Sequence, residues 1–148
     1  MSAASPAAGR PAGIDPRGPR FGASITSVLL LVVIGVGLAT PLGTTIGERA
    51  TEPAALLQLL LVVLFAWGAL AGIARHPYGA LFKALVAPRL SPPREREDPA
   101  APTFAQGVGL LVTGVGLALH LAGVPYALVI SASAAFVAAF LNAAFAYC

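Results

Sequence analysis

The sequence predicts an all-α integral membrane protein, a four-helix bundle of two helical hairpins with both termini in the cytoplasm. Three observations predict it. The 148 residues are 57% hydrophobic and only 10% charged, whereas soluble domains usually carry about a quarter charged residues. The mean hydropathy is +0.84, and a soluble chain of this length has no interior large enough to hide so much apolar surface. The charges are also segregated. No Asp, Glu, Lys or Arg lies between Arg20 and Glu48, between Glu52 and Arg75, or after Asp98. A helix in water places charge on its outer face every turn or so; helices apolar on all faces need lipid.

Residues 1–20 are rich in Ala, Pro and Gly, with Arg10, Arg17 and Arg20 among them. They hold too little apolar bulk to order themselves and are expected to form a disordered cytoplasmic arm. The apolar run after Phe21 is too long for a signal peptide. The transmembrane domain is therefore 21–148. Its first span, about 22–40, is long enough for a hydrocarbon core of about 30 Å. Pro41 and Gly43 end it. The loop 41–53 carries Glu48, Arg49 and Glu52, and Pro53 sits at the start of the second span, about 54–74, where proline is tolerated.

The segment 75–101 leaves the membrane. Tyr78 to Val86 is expected as a short interfacial helix, with Leu81, Phe82, Leu85 and Val86 toward the acyl chains and Lys83 toward water. Ser91-Pro-Pro-Arg-Glu-Arg-Glu-Asp-Pro99 is a polar linker. The third span, about 102–122, and the fourth, about 126–147, are separated only by Gly123-Val-Pro125 and form a tight hairpin.

Orientation follows from Lys and Arg. The arm has Arg10, Arg17 and Arg20, and the middle segment has Arg75, Lys83, Arg89, Arg94 and Arg96. The 41–53 loop has Arg49 alone and the 123–125 turn has none. That bias places the arm, the middle segment and the C-terminus in the cytoplasm. The net charge of +3 and pI near 9.6 do not imply nucleic acid, because the basic residues flank apolar runs and form no basic face. Cys148 is the only cysteine, so no intrachain disulfide is possible.

Gly35-Val-Gly-Leu-Ala39 recurs as Gly114-Val-Gly-Leu-Ala118. Both copies run outward from the cytoplasm, as in a parallel repeat of two hairpins. The sharpest pattern is on the third span. Gln106, Gly109, Thr113, Gly116 and His120 recur at spacings of three and four and form one stripe. Such a stripe serves as a packing seam, since glycine admits another backbone and Gln, Thr and His bond across the contact. The competing reading is a polar path or substrate groove. Ser131, Ala135, Ala138 and Asn142 give the fourth span a matching face. Gln106 and Asn142 then share the cytoplasmic side, and His120 shares a level with Gln58 at the outer end. Gly68-Ala-Leu-Ala-Gly72 is a small-xxx-small contact motif. Trp67 is expected to pack mid-span.

His120 has no acidic companion within the spans, which argues against ion-coupled transport. A metal needs several ligands, and one His is too little to hold haem; no cofactor is expected. Arg75 and His76 leave the second span near the end of the fourth. A thiol beside His or Arg is acidified, so Cys148 with His76 and Arg75 is a candidate reactive thiol. The alternative is an interfacial anchor of Arg, His and Tyr.

Several phrases carry a resemblance together: Asp15-Pro-Arg-Gly-Pro-Arg-Phe-Gly22, His76-Pro-Tyr-Gly-Ala-Leu-Phe82, Pro88-Arg-Leu-Ser-Pro-Pro93, Glu97-Asp-Pro99, Phe104-Ala-Gln-Gly-Val-Gly109 and Leu141-Asn-Ala-Ala-Phe145. The chain after residue 14 resembles an uncharacterised bacterial membrane family, common in actinobacteria, known as domain-of-unknown-function family four-three-nine-five. The resemblance implies a Cys-x-x-Cys pair after the Asn-Ala-Ala-Phe phrase; here the match runs through the first cysteine, Cys148. Two thiols would imply disulfide or sulfur chemistry beside a thioredoxin-like or sulfurtransferase partner. One thiol leaves a mixed disulfide, a persulfide or no chemistry.

The leading expectation is a small non-enzymatic accessory subunit. It contacts membrane lipid and associates with other membrane subunits or with itself. A thiol redox protein using Cys148 is the first alternative. A carrier for an uncharged small molecule through the Gln106–His120 stripe is the second.

Overall fold

The computed structural model describes residues 13–145. Six α-helices follow one another: α1 (Arg17–Ala39), α2 (Ile46–Thr51), α3 (Pro53–Ala71), α4 (Pro77–Leu85), α5 (Ala100–Leu121) and α6 (Ala127–Phe145). Helices α1, α3, α5 and α6 have mean hydropathies of 2.3, 2.3, 1.6 and 2.0 over their most apolar stretches. The shorter two, of 19 residues, rise about 28 Å at 1.5 Å per residue, the thickness of a hydrocarbon core. Leu70, Leu111 and Ile130 point outward and are 84%, 66% and 66% exposed. Such faces suit acyl chains, which are as apolar as leucine itself. The molecule is a multi-pass, all-α membrane bundle.

Helix α1 packs on α6 and α3, and α5 packs on α3 and α6. The four spans therefore form a ring in the order α1, α3, α5, α6, with α1 diagonal to α5. Two hairpins related by rotation about the bundle axis give this ring. The repeated pentapeptide behaves alike in both copies. Its second glycine is packed, Gly37 against Val129 and Ala54, Gly116 against Ser131 and Gln58, while nothing lies within 4 Å of a Cβ built on the first, Gly35 or Gly114. The core is Leu30, Val33, Ala54, Ala55, Leu61, Phe65, Leu128, Ala132 and Ala135.

Helix α1 begins five residues before the expected 22, within the segment expected to lack order. Residues 13–20 are built into the fold, while 1–12 lie outside the described residues. The physical reason is local. The Asp15 carboxylate accepts from the amide of Arg17 at 3.0 Å, as a helix start requires. Ile14 pairs with Glu97 through two backbone bonds of 2.9 and 3.0 Å. This end, which gathers Arg17, Arg20 and the segment 72–99, is called the basic end below.

The opposite, far end is tightly capped. Thr45 and Glu48 form a reciprocal capping box on α2. The α5–α6 turn is a Schellman motif: Val124 N–H donates to Leu119 O at 2.9 Å and Gly123 N–H to His120 O at 3.0 Å. Gly123 has φ +97°, which glycine adopts without steric cost.

The second span stops at Ala71, short of the expected 74, because Gly72 turns out at φ +82°. The chain then folds back along α3. Trp67 donates its indole N–H to Arg75 O at 3.1 Å, and His76 Nε2 lies 3.0 Å from Leu64 O. Helix α4 next runs antiparallel to the opening turns of α1, with Tyr78 against Gly22 and Phe82 against Gly18. It is a helix of nine residues packed on α1. Phe82 was expected to face acyl chains; it is buried, its ring 5.9 Å from that of Phe21. Leu81 and Leu85 do point outward. Trp67, expected to pack mid-span, is half exposed near the end of α3 because its indole N–H reaches the returning chain.

Candidate functional site

The stripe on α5 faces the interior. A Cβ at Gly109 would overlap the Phe65 ring, and one at Gly116 would overlap Ser131. Thr113 lies between them, fully buried, and its hydroxyl donates back to Gly109 O at 2.7 Å. Glycine thus lets α3 approach one turn of α5 and α6 another.

Gln58 of α3 holds the middle layer. Its amide nitrogen donates to Thr113 O and to Ser131 Oγ, both at 2.9 Å, and Ser131 donates onward to Leu128 O at 3.0 Å. One side chain therefore ties α3, α5 and α6. Sequence reasoning placed Gln58 with His120; the structure places it one turn deeper, with Thr113 and Ser131. Its Oε1 is buried without a hydrogen bond among the described residues.

His120, expected to lack an acidic companion, has one. Its Nε2 lies 3.3 Å from Glu52 Oε2, with the His side chain 1% exposed and the Glu side chain 11%. Glu52 precedes Pro53 and belongs to a loop in the sequence, but α3 starts beside the last turn of α5. The other Glu52 oxygen accepts from Gly43 N–H at 2.7 Å, and Arg49 Nη1 donates to His120 O at 3.1 Å. Loop, α3 and α5 are thereby joined. Glu48 is held below the usual carboxylate range by the backbone N–H and then the hydroxyl of Thr44.

At the basic end, Gly68 faces Gln106, whose Cγ would lie 2.6 Å from a Cβ there. Gly72, the other half of the contact motif, packs against nothing within 4 Å; its role is to end α3. On α6, Ser131 and Ala135 are buried, whereas Ala138 is exposed, because the packed face runs on through Ala139, four residues after Ala135. Gln106 and Asn142 both line a cavity of about 440 Å³ between α1, α4, α5 and α6.

His76 is buried and fully engaged. Nδ1 accepts from Tyr78 N–H at 3.2 Å, capping α4, and Nε2 meets Leu64 O. Arg75 is exposed. Cys148 lies outside the described residues. Among the described residues, no group of three or more His, Cys, Asp or Glu is placed to hold a metal. Sequence reasoning missed Glu52, Phe65 and the Asp15–Arg17 clamp. The Thr45-x-x-Glu48 spacing marked a capped helix in the loop, and Asp15-Pro16 ahead of the apolar run marked a helix start.

The family model described as domain of unknown function DUF4395 matches residues 14–148. The chain belongs to that family. The DUF4395 match begins at the Ile14 that pairs with Glu97 and takes in every helix described above. Comparison with curated proteins and with solved structures finds no match.

Proposed function

We propose that this DUF4395 protein is a small non-enzymatic subunit that associates, through the outer face of α5, with another transmembrane protein or a second copy of itself. One observation carries the reading. Helix α5 holds glycines on two faces. Gly109 and Gly116 serve the interior, but Gly107 and Gly114 meet nothing within 4 Å. Each costs helix stability of about 1 kcal/mol relative to alanine, and the chain itself gains no contact from either. Seven residues apart, they lie on one stripe, beside the exposed Leu111 and Val115. In a bilayer, such a stripe serves close approach by a neighbouring helix.

The test is cross-linking in native membranes. Gly107→Leu and Gly114→Leu should abolish the cross-linked species without lowering the melting temperature of the purified protein. Undiminished cross-linking in both variants would overturn the reading.

The same proposal places the basic end in the cytoplasm and the far end outside the inner membrane, supported by eight Lys and Arg against one. In a Cys148→Ser background, a single cysteine at Thr44 should react with an impermeant thiol reagent in intact cells, and one at Ser91 should not. The reverse pattern would invert the topology. The thiol alternative draws no support from His76, whose two nitrogens are engaged. The carrier alternative meets a stripe filled by Phe65 and Ser131.

A further inference from the structure

The turn of the chain at Gly72 leaves space behind it. Because α4 returns only along the opening turns of α1, a cavity of about 440 Å³ remains at the basic end, roofed by the linker around Pro93 and Arg96 and by residues 13–15. Its volume falls within the ~300–1,000 Å³ of small-molecule sites. Phe82, Tyr78, Ile73 and Ile14 supply apolar wall, and apolar surface predominates in the lining.

The polar groups are few and unevenly committed. Among the described residues, Asp15 is the only acidic one lining the cavity. Arg17 engages it with contacts of 2.7, 2.9 and 3.2 Å and so neutralises it. Two cations remain, Lys83 and Arg96. Arg96 gives one donor to Gly13 O at 3.0 Å, and a guanidinium has five. Lys83 has no hydrogen-bond or ion-pair partner among the described residues, and neither has the Gln106 amide on the opposite wall. The cavity therefore combines an uncommitted positive rim, an apolar wall and a free carboxamide.

We infer that this cavity binds a small amphipathic anion: a phosphate or carboxylate held by Lys83 and Arg96, an apolar body along Phe82 and Ile14, and a hydroxyl or similar group at Gln106. Charge-assisted bonds fix the anion, and the Gln106 amide selects a ligand with a polar tip, since burying an unpaired polar group is costly. A free metabolite and the headgroup of an anionic lipid both offer such a phosphate, and the chemistry recognised is the same.

The test uses the full chain in neutral detergent, with hexyl phosphate and 6-hydroxyhexyl phosphate as probes and melting temperature as the readout. Both probes should raise the melting temperature, because a ligand of the folded state stabilises it, and the hydroxylated one should act at lower concentration. Lys83→Gln, at an exposed position, should weaken both by roughly tenfold. Gln106→Leu should erase the difference between the probes, and Arg94→Gln, which does not line the cavity, should change nothing. Repeating the titration in nanodiscs separates the sources. Loss of the shift in phosphatidylglycerol but not in phosphatidylcholine assigns the site to a lipid headgroup; retention in both assigns it to a free metabolite. No shift in any medium, or equal shifts in wild type and Lys83→Gln, overturns the inference.

Discussion

The two ends of the bundle are built on opposite plans. At the far end, short connections are closed by charge and capping: Glu52 meets His120 and Gly43, Arg49 meets the end of α5, and Gly123 seals the turn. At the basic end, a long connection dips back among the helices and leaves a cavity lined by glycines and uncommitted polar groups. A helix terminus must satisfy its free amides and carbonyls wherever it stops. The far end does so compactly and spends its polar groups on one another. The basic end uses backbone and His76 caps, which leaves Lys83 and Gln106 unspent. Polar groups fixed by structure are poor candidates for ligands; those left over are better ones.

The middle of the bundle should be the least forgiving part. Gly116→Leu should cost about 3 kcal/mol, the top of the usual overpacking range, because Ser131 already fills that space. Gly114→Leu, two residues away on the open face, should cost nothing and gain up to about 1 kcal/mol of helix propensity. Urea or thermal unfolding in detergent measures both, and equal tolerance would erase the distinction between inner and outer faces of α5.

A smaller effect is expected where the three helices are tied. Gln58→Leu removes bonds to Thr113 and Ser131, each worth about 0.6–2 kcal/mol between helices in membranes. It also removes the unsatisfied Oε1, which offsets part of the loss. A net destabilisation near 1 kcal/mol follows by the same unfolding assay. A more stable variant would show that the middle layer exists for a ligand or water and not for packing.

The smallest effect belongs to the basic end. The Arg17 side chain, through its hydrogen bonds, holds the Asp15 carboxyl below its ordinary value of 3.8. A carboxylate depressed in the folded state stabilises above its unfolded pKa and loses that contribution as pH falls through the folded one. The melting-temperature difference between wild type and Asp15→Asn should therefore hold from neutral pH down to about 4 and vanish below it. A difference that persisted in acid would exclude the charged clamp as its cause.

Much of this architecture was legible in the sequence. Uninterrupted apolar runs bounded by Pro41, Pro53 and Pro125 admit few alternatives to four spans. The α5 stripe was legible because helical spacing fixes which residues share a face. What that face meets was not, since Phe65 and Ser131 are set by how three helices cross. The Glu52–His120 contact joins a loop to a helix end 68 residues on, and no local pattern encodes it. The return of the chain at Gly72 was hidden for a related reason. Ile73-Ala74 continues the apolar composition up to Arg75, and the break falls at Gly72, whose φ is positive.

The ring order also bears on biogenesis. Helix α1 packs most extensively on α6, the last of the four described spans to leave the ribosome. Through most of synthesis, the face of α1 carrying Leu30, Val33 and Gly37 is without its principal partner. Spans insert individually before they associate, so the nascent bundle stays open on one side until the final hairpin arrives. A chain ended before Ala127 would carry that open side permanently, and quality-control proteases would meet it as an unfinished membrane protein.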